Sequence, residues 1–216
     1  MNANADVKRL VPDRRYFLRS LLVSVLLLFA SLIIYYTLNV YTDNHRGNRV
    51  PDIILDNMPV MNAYWIYIYG PVAVWVLLIA LCFIKPNRFP FVLKSVSLLI
   101  LIRSIFTSLT HLGPPNNVVI AGQTALISHI IRHIDFGGDF FFSGHTAYPF
   151  LMGLIFWHSF PLRIIFLTSS LLFGFVVLAC HVHYSIDVMA AFFIAHSVYY
   201  ISKKLFIKDY KYFMKI

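Results

Sequence analysis

Apolar residues run along this chain in long blocks broken by short polar segments, a pattern that predicts membrane-spanning helices and not alternating strands. The first block, Tyr16 to Val40, follows a polar, basic segment of residues 1–15. It is too long for the apolar core of a cleavable signal and lacks a small-residue cleavage site, so it reads as a retained span. A polar loop over 41–59 carries Asp43, Asp52 and Asp56. The second block, Met61 to Ile84, is interrupted by Gly70-Pro71, which neighbouring helices tolerate in lipid. After the turn Lys85-Pro86-Asn87-Arg88, a third block runs from Phe89 to Leu112 and holds Lys94 and Arg103. Gly113-Pro114-Pro115 stops it. Residues 118–134 predict a helix too short and too polar to span, lying at the membrane surface. Spans follow over 141–160, 164–180 and 183–201, and a basic tail over 202–216 closes the chain. The expected fold class is all-α: six transmembrane helices in one domain over 16–201, flanked by basic tails 1–15 and 202–216.

Composition supports this. Hydrophobic residues make up 59% and charged residues 12% of the chain, with a mean hydropathy of +0.74. A soluble domain carries about a quarter charged residues. The formal charge of +9 would otherwise point to nucleic acid, but most cations sit beside apolar blocks, where they anchor topology. No nucleic-acid partner is expected. With the N-terminus inside, the inner side holds Lys8, Arg9, Arg14, Arg15, Lys85, Arg88, Arg163 and the tail lysines, and the outer loops hold Arg46, Arg49 and Arg132. Positive charge therefore predicts both termini on the cytoplasmic side. The start of the fourth span and the hairpin between the fifth and sixth then share the non-cytoplasmic face. Every acidic residue is Asp, so a catalytic carboxylate must be an Asp. Cys82 and Cys180 fall in or beside apolar blocks and make no disulfide framework.

Two segments carry candidate chemistry: Ser143-Gly144-His145-Thr146, and His181-Val182-His183-Tyr184-Ser185-Ile186-Asp187. His183 and Asp187 are spaced i,i+4, so one helix face can bring them together. Asp187 can then fix the tautomer of His183 and leave the other ring nitrogen nucleophilic. Taken alone, the pair is equally a cap that satisfies two polar groups. Ser143-Gly144-His145 sits where a loop enters the fourth span, and helix N-termini suit phosphate. Ser143 can donate a hydroxyl, Gly144 allows close backbone approach, and His145 can give or take a proton.

These residues resemble the type 2 phosphatidic acid phosphatase (PAP2) superfamily, and more closely its sphingomyelin synthase branch. That branch reads Gly-Asp-x-x-x-Ser-Gly-His-Thr and His-x-His-Tyr-[Thr/Ser]-Ile-Asp-Val, which Gly138 to Thr146 and His181 to Val188 match. Phe142 precedes the Ser where the phosphatases have Pro, Val177 stands where their third motif has Arg, and their Lys-x6-Arg-Pro is absent. Pro51-Asp52 is similar to a Pro-Asp motif of the branch. Arg103, Thr110, Leu112 and Pro115 are similar to its Arg…Thr-x-Leu-Pro-x-Pro region, with Gly113 for the first Pro. The branch carries an Arg ten residues beyond the Asp and a Tyr four before that Arg; here these are Ser197 and Phe193, with His196 alongside.

The resemblance implies a PAP2-like helical core and a headgroup transfer through a phosphohistidine. His183 is the implied nucleophile, assisted by Asp187, and His145 the implied acid and then base. Asp139 would orient a histidine, Arg103 would pair with phosphate, and His181 would be a supporting polar group. The implied partners are a glycerophospholipid donor and a lipid alcohol acceptor such as ceramide, with water as the alternative acceptor of a phosphatase or phospholipase C-like hydrolase. No cofactor and no metal are expected: His129, His133, His181 and His183 fall short of the clustered boxes of a membrane oxygenase. A transporter would place its charges near the midplane within internal repeats, whereas the clearest polar cluster here lies at one face.

Overall fold

A long apolar segment folds as a helix in lipid because a helix satisfies every backbone group within itself. The computed structural model describes residues 14–115 and 141–214. Its α-helices are α1 (Arg14–Asn44), α2 (Tyr64–Ile84), α3 (Phe89–Leu109), α4 (Gly144–Ile155), α5 (Phe160–Ala179), α6 (Ser185–Leu205) and α7 (Ile207–Met214). Every regular element among the described residues is helical. Asp139, and the surface helix predicted around His129 and His133, lie outside those residues.

Among the described residues, five segments are long and apolar enough to cross a membrane: α1, α2, Pro86–Leu109, α5 and α6. The chain thus has the helices of a multi-pass membrane protein. The sequence predicts six spans. The stretch predicted as the fourth is helical over only the 12 residues of α4, about 18 Å of helix against a hydrocarbon core of about 30 Å. A turn at Phe156–Ser159 ends it, and Pro161 restarts the chain in the first turn of α5. The last residues, predicted as a tail, are helical too: α6 continues to Leu205 and α7 follows.

In α1 the buried residues are Ser20, Ser24, Ser31, Asn39 and Thr42, while Leu22, Leu26, Phe29 and Ile33 face outward. A lipid-facing helix can invert soluble patterning in this way, because small residues let helices approach and lipid solvates the apolar face. Ser24, Ser31 and Thr42 return their hydroxyls to carbonyls of the preceding turn. α1 packs chiefly on α3, α2 on α5, and α4 on α5 and α6. The central α3 buries Phe91 and Leu99 completely, together with Leu151 of α4 and Phe156.

Two charges on α3 are accommodated by partners. Lys94 Nζ donates to Asp209 Oδ2 of α7 at 2.6 Å and to Ser20 Oγ at 2.8 Å. Ser20 and Tyr16 hydroxyls donate to Asp209 Oδ1. This buried network ties α1, α3 and α7 at one end of the bundle. At the other end, loop residues 45–63 knit the helix termini together. Gly47 N–H donates to His111 C=O, Gly113 N–H to Asn48 C=O, and Met61 N–H to Ala179 C=O.

Candidate active site

The two halves of the signature are joined through the main chain. Ser143, the N-cap of α4, donates its N–H to the carbonyl of Asp187 in the first turn of α6 at 3.1 Å. Each half also contains a non-glycine residue in the left-handed region, Phe142 at φ 37° and His181 at φ 54°. Such backbone costs on the order of 1–3 kcal/mol and persists where its surroundings over-determine it. Phe142 is wholly buried and its carbonyl accepts from Arg103 Nε at 3.2 Å. His181 ends α5 in a position where glycine is usual: its N–H reaches Leu178 C=O and the Val182 N–H reaches Val177 C=O. Its side chain explains a residue larger than glycine there, since Nε2 lies 3.1 Å from Met58 C=O.

The His183–Asp187 contact forms, but not as an i,i+4 pair on one helix face. α6 begins at Ser185, so His183 lies in the preceding turn. Asp187 reaches back as a capping residue: Oδ2 accepts from Tyr184 N–H at 2.9 Å and lies 3.4 Å from His183 Nδ1. Two polar groups, the Tyr184 N–H and the His183 ring, meet at the start of the helix, and a carboxylate in its first turn answers both. Asp187 is fully buried, and its Oδ1 has no hydrogen-bond partner among the described residues.

A cavity of about 330 Å³ gathers His145, His183, Gly144 and Arg103 on its lining with the aromatic side chains of Tyr35, Tyr67, Trp75 and Tyr148. His145 stacks on Tyr67, ring centroids 4.5 Å apart and planes 12° apart. The Arg103 guanidinium lies 5.8 Å over the Tyr35 ring, and Nη1 donates to the Tyr35 hydroxyl at 3.4 Å. Gly144 lies close to both: a Cβ there would meet the Tyr148 ring at 3.2 Å, tighter than ordinary contact, and Cζ and Nε of Arg103 at 3.5 Å. A fixed guanidinium thus abuts a helix N-terminus, and both favour an anion. Arg103 lies six residues before the end of α3, about 9 Å along the axis, so the site is recessed within the bundle.

Ser143, Asp187 and His181 are not on the cavity lining. Ser143 is wholly buried at the junction, with its Oγ unpartnered among the described residues. Phe193 and Ser197 are exposed on α6, and the Ser197 hydroxyl returns to Phe193 C=O. Sequence reasoning missed the aromatic wall, although Tyr67, Pro71 and Trp75 recur at helical spacing on α2. It also missed the partner of Asp52. One oxygen of that carboxylate accepts from Ile54 and Leu55 N–H, and the other accepts from Ser185 N–H at 2.6 Å. Burial pushes the Asp52 carboxyl up, but hydrogen bonds from Leu55, Ser185 and Ile54 outweigh it and hold it below the usual carboxylate range. Burial raises the Tyr184 phenol, opposed by the hydrogen bond from Val50 and the charge of Arg49.

Residues 137–204 match the family model described as PAP2 superfamily C-terminal. The matched stretch covers less than half of the chain and contains both halves of the signature, so residues 137–204 are similar to the C-terminal part of that superfamily. No curated protein and no solved structure matches the chain.

Proposed function

We propose that this protein is a membrane phosphotransferase that moves a phospho-headgroup, phosphocholine or phosphoethanolamine, from a glycerophospholipid to ceramide or a similar lipid alcohol. The observation that carries the reading is the convergence of His145, His183 and Arg103 on one largely apolar cavity, with the Asp187 carboxylate behind His183 Nδ1. A proton on Nδ1 held toward Asp187 leaves Nε2 as the nucleophilic nitrogen. Nε2 attacks phosphorus, the bond from phosphorus to the glycerol oxygen breaks, and His145 gives that oxygen its proton. The diacylglycerol leaves. His145 then takes the proton of the acceptor hydroxyl, whose oxygen attacks phosphorus, and the phosphorus–nitrogen bond breaks to restore His183. Arg103 and the N-terminus of α4 hold the phosphoryl oxygens. Asp139, four residues ahead of Ser143, orients a histidine, and the Ser143 hydroxyl supports the phosphate. The cation count of the sequence favours the non-cytoplasmic face for this end of the bundle.

Hydrolysis is the second reading, with water entering in place of the lipid alcohol. It rests on Ser197 and Phe193, which stand outward on α6 where the synthase branch carries Arg and Tyr. The test is turnover by the purified chain in nanodiscs, given fluorescent ceramide with phosphatidylcholine or phosphatidylethanolamine. Phospho-ceramide and diacylglycerol mark transfer, whereas free headgroup phosphate or diacylglycerol alone marks hydrolysis. His183→Ala and His145→Ala should each lose about 10²-fold or more. Full activity in both variants ends the catalytic reading.

A further inference from the structure

The loop between α1 and α2 touches the turn before α6 on both sides of His183. On one side Met58 C=O meets His181 Nε2 at 3.1 Å. On the other, the Tyr184 hydroxyl donates to Gly113 C=O at 2.8 Å and accepts from Val50 N–H at 3.3 Å. Leu55 packs on the Tyr184 ring, and Asp52 reaches the next residue, Ser185. Asp52 is only 8% exposed and both its carboxylate oxygens are engaged. One closes the loop on itself through Ile54 and Leu55. The other makes a 2.6 Å bond to the N–H of the first residue of α6. That N–H has no acceptor within its own helix, and an ionised acceptor at a helix N-terminus is favoured.

Two carboxylates therefore divide the start of α6. Asp187 takes the Tyr184 N–H and faces His183, and Asp52 takes the Ser185 N–H. Resting on the phosphohistidine reading above, we propose that Asp52 is a positioning residue: by occupying Ser185 it leaves the Asp187 carboxylate free to stay against His183 Nδ1. The contact it protects is 3.4 Å long, near the outer limit of a hydrogen bond, so a shift of a few tenths of an ångström breaks it. Without Asp52, the Asp187 carboxylate in the same first turn is an acceptor left beside that donor. Drawn to it, Asp187 leaves His183 unoriented. Asp56 serves Asp52 in turn, accepting its N–H at 3.1 Å while pairing with Arg49.

Two substitutions break this bond from opposite sides. Asp52→Asn replaces one acceptor oxygen by an NH2 group that meets an N–H donor. Ser185→Pro removes the donor, and proline is well tolerated at the first position of a helix. Tyr184, at φ −74° and ψ 158°, already has the extended backbone required before proline. In nanodiscs with fluorescent ceramide and phosphatidylcholine, each variant should lose about 10- to 100-fold in kcat with KM within about threefold. The double variant should lose no more than the worse single one, because both act on the Asp52–Ser185 contact. Asp43→Asn, in an exposed pair with Arg46, is the control and should keep kcat within about twofold. Wild-type kcat in both single variants, a loss confined to KM, or losses that multiply in the double variant would overturn the proposal. His183→Ala is run beside them. If it abolishes turnover while Asp52→Asn and Ser185→Pro do not reduce kcat, only the positioning role fails. If it remains as active as the wild type, the catalytic reading fails and this role with it.

Discussion

The N–H of Ser143 donates to the carbonyl of Asp187 at 3.1 Å, so the N-cap of α4 hangs from the first turn of α6. Through this bond the first turn of α4 is tied to the turn beside His183. It uses backbone atoms only, which leaves the Ser143 side chain free for another task. Its Oγ is fully buried and unpartnered among the described residues. Ser143→Ala should therefore leave the thermal midpoint unchanged or slightly raised, since a buried unsatisfied hydroxyl costs about 1–3 kcal/mol. Turnover should nonetheless fall by about tenfold if that hydroxyl meets the phosphate. Thermal unfolding and kcat/KM on one preparation check both, and a large loss of stability would contradict the geometry.

Gly144 leaves room for no more than a Cβ between the helix start, Arg103 and Tyr148. Gly144→Val adds a Cβ at 3.5 Å from the guanidinium, with two methyl groups beyond it. The side chain must displace Arg103 or Tyr148, and turnover should drop about 100-fold with the fold retained. Arg103→Lys is not conservative either. Lysine has no equivalent of the Nε–H that serves the buried Phe142 carbonyl, and leaving that group unpaired costs about 1–3 kcal/mol. The unfolding midpoint in detergent measures this.

Acid should loosen the loop that holds the His183 turn. The Asp52 carboxyl lies below its ordinary value of 3.8 in the folded chain. A depressed carboxyl contributes stability that is fully present above the unfolded value and is lost as pH falls through the folded one. The thermal midpoint of the wild type should thus fall as pH drops below about 4. Asp52→Asn, lacking the titrating group, should show a flatter acid limb. Parallel limbs in the two proteins would assign the acid loss to other carboxyls.

The Lys94–Asp209 pair lies at the far end of the bundle, 2.6 Å apart and buried. Asp209→Ala leaves a buried ammonium without its partner and should destabilise by about 3–5 kcal/mol. Replacing both, as Lys94→Met with Asp209→Leu, should recover most of that loss. Because the pair is remote from His145 and His183, kcat of the folded fraction should stay within about twofold for the double variant. Expression level and unfolding midpoint read the first effect, and turnover per folded molecule reads the second.

The helices were legible in the sequence where long apolar blocks recur, because lipid admits little else. Their ends were less so. α1 runs on to Asn44, beyond the predicted Val40, and residues 141–160 yield only the short α4. Spacing paired His183 with Asp187 correctly and gave the wrong geometry, since a spacing of four fits both a helix face and a capping carboxylate. His181 looked like a polar support of the site. Its backbone is also an αL helix stop, and its ring lies against the Met58 carbonyl.

The sequence by itself determined the membrane setting, the helical class and the two segments that carry the candidate chemistry. Those follow from local composition, from the period of the helix and from short motifs. Only the tertiary structure decided that Arg103 abuts Gly144, that Tyr67 stacks on His145, that Asp52 caps α6 and that Asp209 receives Lys94. Each joins residues far apart in the chain, and no local pattern encodes which distant partner will satisfy a buried charge or an open helix end. That choice is made by packing, when the bundle closes and every buried polar group must find what is within reach.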